Sequence, residues 1–75
     1  RDHRLEREAQ ICARLAAGDE TIADMVPALY AAVDQRLWPA ASLSVLSHLI
    51  KLVQEGRAAA APEATMAARY TLIAD

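Results

Sequence analysis

Apolar side chains recur at helical spacing in three successive stretches of this chain, and that periodicity constrains its fold more than any other feature. In the stretch 3–17, one line of a helix would carry Leu5, Ala9, Cys12 and Ala16, flanked by Ile11 and Leu15. Gly18 follows directly, and glycine suits the left-handed residue that ends many helices. We therefore expect a first helix over residues 3–17.

A second helix is predicted to begin at Thr21, which suits an N-cap with Asp24 three positions later. Its buried face would consist of Ile22, Met25, Val26, Leu29, Tyr30 and Val33. Pro27 falls at about the sixth helical position, beyond the first turn where proline is tolerated. We expect a kink or a late helix start there, and a connection at residues 34–36.

A third helix is predicted from Pro39, a residue typical of the first helical turn, to about Glu55, with Gly56 as its end. Its buried arc would hold Ala41, Ser42, Val45, Leu46, Leu49, Leu52 and Val53. The opposite side would hold Ser44, Ser47, Lys51 and Gln54. Leu43 and Ile50, seven residues apart, fall at the margin of the buried arc.

The last part of the chain favours two short strands, at residues 57–60 and 69–73, joined by a loop. The second strand carries aromatic and β-branched residues, whereas the first consists mostly of alanine. Three helices followed by a two-stranded β-ribbon is the order of a winged helix-turn-helix, so we predict this mainly α fold. A plain three-helix bundle with a loose tail remains the alternative, because the first strand is weak.

Size and charge exclude several classes of function. The chain has 75 residues, of which 41 are apolar; 18 of those are alanine, which leaves 23 larger apolar side chains. That number suffices for one compact core but not for an enclosed active site, so we do not expect a self-contained enzyme. The formal charge of −2 provides no basic excess of the kind that a nucleic-acid binder usually carries.

The chain contains one cysteine, so it forms no internal disulfide and fits a reducing compartment. No apolar run approaches the roughly 18 residues that a membrane span needs. We therefore expect a cytoplasmic protein without a membrane partner. Residues 1–8 are mostly charged and include no initiator methionine, from which we expect a segment of a longer protein.

The chain contains few residue patterns that are typical of catalytic or metal-binding sites. His3 and His48 lie 45 positions apart, and neither has the spacing of a metal-binding pair. We interpret Cys12 as a small core residue and His48 as structural; a catalytic pair of the two is a further alternative. Glu6 and Glu8, two positions apart, are interpreted as solvated. We expect no catalytic, cofactor-binding or metal-binding residue in this chain.

Nucleic-acid binding has to be considered because the third helix of this fold normally enters the major groove. Lys51 is the only basic residue on the outward side of that helix, and Arg57 and Arg69 near the ribbon would support it. Since phosphate contacts supply much of the affinity for DNA, three such residues give weak support. A nucleic-acid-contacting module through Lys51, Arg57 and Arg69 is our alternative function.

Several short segments, in order and with suitable gaps, resemble one known domain family. They are HRLEREAQI at residues 3–11, TIADMV at 21–26, LY at 29–30, LWPAA at 37–41, SVLSHL at 44–49 and LVQEGR at 52–57. The chain resembles the winged-helix domain that follows the catalytic domain in many metallo-β-lactamase-fold hydrolases. The resemblance covers residues 3–57, and residues 58–75 match the family poorly.

The resemblance implies that residues 1–75 form one winged-helix domain of a larger hydrolase, whose catalytic domain precedes residue 1. That domain would hold metal ions, usually zinc, through an H-x-H-x-D-H motif, which these 75 residues do not contain. The implied function is a non-catalytic accessory domain that packs on the catalytic domain, shapes substrate access or mediates dimerisation.

Trp38, Leu43 and Ile50 are the candidates for a contact patch against the catalytic domain or a second subunit, because exposed apolar residues that cluster often form interfaces. Trp38 has an alternative interpretation, in which it covers the core from the side. His3 and Arg4 would lie nearest the junction with the preceding domain and are candidates for contacts across it.

Overall fold

The computed structural model describes residues 3–73, and it has the predicted order of elements. Three helices come first: α1 (His3–Ala16), α2 (Ile22–Leu29) and α3 (Trp38–Gln54), with one turn of 3₁₀ helix (Gln35–Leu37) before α3. The strands β1 (Ala58–Ala61) and β2 (Arg69–Leu72) then pair antiparallel, with Ala60 opposite Tyr70. The predicted winged helix-turn-helix fold is confirmed, and the three-helix bundle with a loose tail is wrong.

Both predicted glycine stops are confirmed, and they end their helices in the same way. Gly18 has φ +106° and Gly56 has φ +75°, a region of backbone conformation that favours glycine. At the end of α1, the Gly18 N–H donates to the carbonyl of Leu15 and the Asp19 N–H to that of Arg14. This pair of bonds is the Schellman motif, which satisfies carbonyls that the helix leaves open. The same two bonds recur around Gly56.

Helix α2 is shorter than the sequence suggested. Thr21 is its N-cap as predicted, since its Oγ1 accepts a hydrogen bond from the Asp24 N–H at 3.2 Å. The helix ends at Leu29 instead of continuing toward Val33, and Pro27 lies inside its last turn. Proline has no N–H to donate, so the carbonyl four residues before it loses its helical bond and the helix is weakened there.

One core is shared by the three α-helices and the ribbon. Its buried members are Ile11 and Leu15 of α1; Ile22, Met25 and Val26 of α2; Val45, Leu49 and Leu52 of α3; and Ala58, Ala68 and Tyr70 of the ribbon. The short Ala58 side chain lets β1 lie directly against α3, which explains how an alanine strand is accommodated. Tyr70 is fully buried between the ribbon and the helices, and its hydroxyl donates to the Thr65 carbonyl at 2.6 Å.

The buried face of α1 differs from the predicted one. Leu5, expected on the buried line, is 64% exposed, whereas Ile11 and Leu15, expected on its flank, are in the core. The helix is rotated so that two of its three large apolar residues, Ile11 and Leu15, face inward. Burial of Ile and Leu removes more apolar area from water than burial of alanine, so this rotation is favoured.

Candidate functional site

The most unusual residue of the described chain is Glu8, a buried carboxylate on the inner face of α1. It is 2% exposed, so the interpretation of this residue as solvated was wrong. Glu8 precedes Ile11 by three positions and Leu15 by seven, which places it on the same helix face as these two core residues. That spacing is the signal in the sequence that could have identified it.

Three basic side chains surround the Glu8 carboxylate. Lys51 Nζ donates to Oε2 at 2.8 Å, and His48 Nδ1 lies 3.6 Å from the same oxygen. Arg57 Nη1 lies 3.7 Å from Oε1, which is buried and accepts no hydrogen bond. We call Glu8, His48, Lys51 and Arg57 the Glu8 cluster. It joins α1 to α3 and to the residue that precedes β1.

The cluster favours the ionised form of Glu8. The hydrogen bond from Lys51 lowers the pKa of Glu8 below its ordinary value of 4.5, and the charge of Lys51 and the contact with His48 act in the same direction. Burial opposes this effect, because it penalises the charged form. The same hydrogen bond raises the pKa of Lys51. Glu8 and Lys51 therefore form a hydrogen-bonded ion pair, with the anion inside and the cation half exposed.

The arrangement offers little to a catalytic reaction. Cys12 is half-buried and packs against the core, and its polar neighbour is Arg57, whose Nη2 lies 3.8 Å from Sγ. His48 instead faces Glu8, with 13% of its side chain exposed. Residues 3–73 enclose no pocket in which a substrate could be held away from water. These features and the small fold argue against a catalytic role for this chain.

The described residues do not fit a metal ion either. Among residues 3–73, no three histidine, cysteine or acidic side chains lie together in a group that could bind one. Glu8 and His48 do lie near each other, but the ammonium of Lys51 and the guanidinium of Arg57 occupy the space around the carboxylate. A divalent cation there would have to displace both positive groups.

The three candidate nucleic-acid contacts all have acidic neighbours. Lys51 contacts Glu8 and also lies 3.7 Å from Glu55. Arg57 lies 3.6 Å from Glu55 in addition to its contact with Glu8. Arg69 donates to Glu20 at 3.0 Å. A phosphate would have to compete with these carboxylates, so the described surface near the ribbon is not a free basic face.

Of the candidate interface residues, Leu43 and Ile50 share an outward face of α3. Leu43 is 60% exposed and Ile50 is half-buried. Ser47 lies between them at helical spacing, and its hydroxyl donates to the Leu43 carbonyl at 3.2 Å. We call Leu43, Ser47 and Ile50 the α3 stripe. It contains no charged side chain, and the polar group of Ser47 is satisfied by its own helix.

Trp38 is the first residue of α3 and has a different role from the α3 stripe. It is half-buried and packs against the core. Its Nε1–H donates to the carbonyls of Tyr30 at 3.2 Å and Val33 at 3.1 Å, which fixes the end of α2 to the start of α3. These contacts support the interpretation in which Trp38 covers the core from the side.

His3 and Arg4, the candidates for contacts across a domain junction, lie exposed at the start of α1. His3 Nδ1 is 3.3 Å from Glu6 Oε2. Arg4 is close enough to Lys51 of α3 for its positive charge to oppose that of the lysine. Other large apolar side chains are also exposed and were not singled out from the sequence: Leu37, Met66, Leu72 and Ile73.

Comparison with known proteins gives one family. The family model described as "Beta-lactamase associated winged helix domain" matches residues 21–68, which are 48 of the 75 positions. The match runs from the N-cap of α2 to the residue before β2, so it includes β1 but not the α1 segment at 3–11. Neither the curated proteins nor the solved structures give a significant match to the chain.

No helix among the described residues is both long enough and apolar enough to cross a membrane.

Proposed function

This chain belongs to the family of β-lactamase-associated winged helix domains, and from that premise we propose that it is a non-catalytic accessory domain of a metallo-β-lactamase-fold hydrolase. The association of this family with β-lactamase-fold proteins is the observation that carries the proposal. The catalytic domain, with zinc as its metal, would precede the present residues in the same protein. The present domain would contribute a surface to that larger enzyme, and the reaction would take place in the catalytic domain.

The contacts of the reactive side chains among the described residues support a non-catalytic role for this domain. Glu8 and His48, the groups best suited to acid–base work, are engaged with each other and with Lys51 inside the domain. Cys12 packs against the core and contacts Arg57. With no enclosed pocket among residues 3–73, none of these groups has a place to meet a substrate out of water. The domain would therefore act through its outer surface.

The α3 stripe is the surface that we propose for this role. Leu43 projects into solvent, and complete burial of a leucine side chain contributes about 1.5–3 kcal/mol. Ser47 is small and its hydroxyl is already bonded, so a partner surface could approach closely without leaving a polar group unsatisfied. The stripe would pack on the catalytic domain, where it would shape the substrate entrance, or it would mediate dimerisation.

Contacts between domains of one chain bury on the order of 600–1,500 Å², so the stripe would form only the centre of such an interface. Trp38 would contribute indirectly, because it holds the start of α3 in place. His3 and Arg4 at the start of α1 are proposed to lie at its edge.

The identity of the larger protein is tested by the coding sequence upstream of residue 1. We expect an H-x-H-x-D-H motif within a predicted αββα domain. An unrelated domain at that position would contradict the proposal directly.

The role of the α3 stripe is tested by Leu43→Lys in the full protein encoded by the gene, with Leu37→Lys as the matched control. The two leucines are almost equally exposed, 60% and 58%, but Leu37 lies outside the stripe. We expect Leu43→Lys to speed proteolysis at the domain junction or to dissociate a dimer, because a charge would be buried in the interface. Leu37→Lys should behave as the wild type. Equal behaviour of the two variants would refute the docking role.

A further inference from the structure

The Glu8 cluster joins α1 to the second half of α3 and to the residue before β1, which the Schellman motif at Gly56 already bonds to α3. Glu8 comes from α1, and His48 and Lys51 come from the second half of α3. Arg57 immediately precedes β1, and its carbonyl accepts a hydrogen bond from the Ile73 N–H at 3.0 Å. We call Arg57 and Ile73, with this bond between them, the base of the ribbon.

The two sides of the cluster differ in their access to water. Glu8 is almost completely buried, whereas the side chains of Lys51 and Arg57 are 49% and 51% exposed. If Glu8 lost its charge, the neutral carboxyl could remain inside at little cost, because burial penalises the charged form. Lys51 and Arg57 would then no longer be attracted to Glu8. Their side chains could turn toward solvent or toward Glu55, which already lies within 4 Å of each.

Arg57 is the member that links the cluster to the ribbon. Its guanidinium extends along one turn of α1, with Nη1 3.7 Å from Glu8 Oε1 and Nη2 3.8 Å from Cys12 Sγ. Glu8 Oε1 accepts no hydrogen bond, and the guanidinium of Arg57 lies beside that oxygen. Attraction to an ionised Glu8 therefore holds this side chain, and with it the base of the ribbon, against α1.

We propose that Glu8 is an acid-releasable latch: its ionised form holds α1, the end of α3 and the base of the ribbon together, and its protonation loosens that base. The proton comes from solvent and adds to a carboxylate oxygen of Glu8. The hydrogen bond from Lys51 is then no longer strengthened by a negative charge and the attraction of Arg57 is lost, while the apolar core remains intact.

Few other charged groups on the elements around α1 face the latch. After α3, Glu55 lies near both Lys51 and Arg57 and competes with Glu8 for them. On α1 itself, the positive charge of Arg4 repels that of Lys51. On β2, Arg69 is engaged with Glu20. On α2, Asp24 is exposed at the first turn. The buried Tyr70 hydroxyl is bonded to Thr65, away from Glu8.

The direction of the pH effect follows from the charge of Glu8. Its folded-state pKa lies below the ordinary value of 4.5, since the hydrogen bond from Lys51 favours the anion. The stabilisation is therefore complete above about pH 4.5 and is lost as the pH falls through the folded-state pKa.

The release should be local, because the far end of the ribbon is held by different contacts. There the Tyr70 N–H donates to the Glu20 carbonyl at 2.6 Å, and Arg69 donates to the Glu20 carboxylate. Neither contact involves Glu8. Opening of the latch should expose the Ile73 amide and leave the Tyr70 amide protected.

Amide hydrogen exchange in the 75-residue chain tests the latch at pH 7 with Glu8→Gln, a neutral mimic of the protonated residue. Glu6→Gln, an exposed glutamate of the same helix, is the control. We expect exchange at Ile73 to rise roughly tenfold in Glu8→Gln, with little change at Tyr70, because the charge that attracts Arg57 and strengthens the Lys51 hydrogen bond is lost. In the wild type, the protection of Ile73 should fall to the Glu8→Gln level once the pH is below the folded-state pKa of Glu8.

Arg57→Gln gives a second test that leaves the bond between Glu8 and Lys51 in place. Arg57 is half exposed, so this variant should fold even if Glu8→Gln does not. Faster exchange at Ile73 with an unchanged Tyr70 supports the latch. Wild-type protection of Ile73 in Arg57→Gln overturns it, as does equal loss of protection at Ile73 and Tyr70 in Glu8→Gln, which would indicate global opening.

Discussion

At the scale of single residues, Tyr70 connects the ribbon to the helical core. Its ring is fully buried, its hydroxyl donates to the Thr65 carbonyl, and its backbone N–H donates to the Glu20 carbonyl. One residue thus fixes the loop before β2 and the turn before α2. From the sequence, Tyr70 was assigned only to a strand, because a four-residue strand has no periodicity long enough to identify its buried side.

Replacing Tyr70 with phenylalanine should lower the free energy of unfolding by about 1 kcal/mol, because the Thr65 carbonyl loses its buried donor. Urea denaturation at pH 7 measures this loss. Tyr70→Ala should cost about 3–5 kcal/mol, because a cavity replaces the ring. A smaller loss for Tyr70→Ala than for Tyr70→Phe would contradict this account of the core.

Burial of the Tyr70 hydroxyl also predicts a dependence on alkaline pH. Burial raises the pKa of Tyr70 above its ordinary value of 10.0, because the phenolate would be poorly solvated inside the domain. A raised folded-state pKa means that the stabilisation is complete below about pH 10 and is lost as the pH rises. Denaturation between pH 8 and pH 11 should show a steeper decline for the wild type than for Tyr70→Phe, and parallel curves would argue against it.

At the scale of elements, the two glycine stops determine where α1 and α3 end. A Cβ added at Gly18 or Gly56 would meet no atom within 4 Å, so a side chain has room at both positions. The constraint is therefore the positive φ alone. This is the reason that the sequence predicted both helix ends well: a Schellman motif depends on local backbone conformation and needs no distant partner.

Substituting Gly18 with alanine should lower the free energy of unfolding by about 1 kcal/mol, because alanine is strained at positive φ. Gly18→Asn should cost less, since asparagine tolerates the left-handed region better. Thermal unfolding of the three proteins compares them. If Gly18→Ala were as stable as the wild type, φ would not be the constraint at this helix end.

At the scale of the whole molecule, the distribution of charge is unfavourable to the binding of nucleic-acid phosphates. The chain has 8 basic and 10 acidic residues, and Lys51, Arg57 and Arg69 each lie beside a carboxylate. Phosphates would have to displace these carboxylates, and the negative net charge would oppose their approach.

We therefore predict no gel shift of duplex DNA or RNA by the 75-residue chain at low salt, where electrostatic binding is strongest. The charge-reversed double variant Glu20→Lys/Glu55→Lys is a positive control, because it frees Arg69, removes one of the two carboxylates beside Arg57 and adds two positive charges. A shift by the wild type that disappears in Arg57→Gln would favour the nucleic-acid function over the accessory role.

The sequence by itself determined the number of α-helices, the N-cap of α2, the ends of α1 and α3, and the fold class, because each depends on residues that are neighbours along the chain. Thr21, Gly18 and Gly56 act through their own backbone, and the apolar spacing of α3 identified its buried arc correctly. The end of α2 was missed because an apolar pattern continues to Val33 although Pro27 weakens the helix.

Tertiary structure decided how α1 is rotated, which buried Ile11 and Leu15 and left Leu5 in solvent. That rotation carried Glu8 inside, where Lys51 and Arg57, more than 40 positions away, compensate its charge. From the local sequence, a lone glutamate is predicted to be solvated, because burial of an unpaired charge is costly. The cost falls only when distant cations are brought to the carboxylate, and packing of α3 and the ribbon against α1 brings them there.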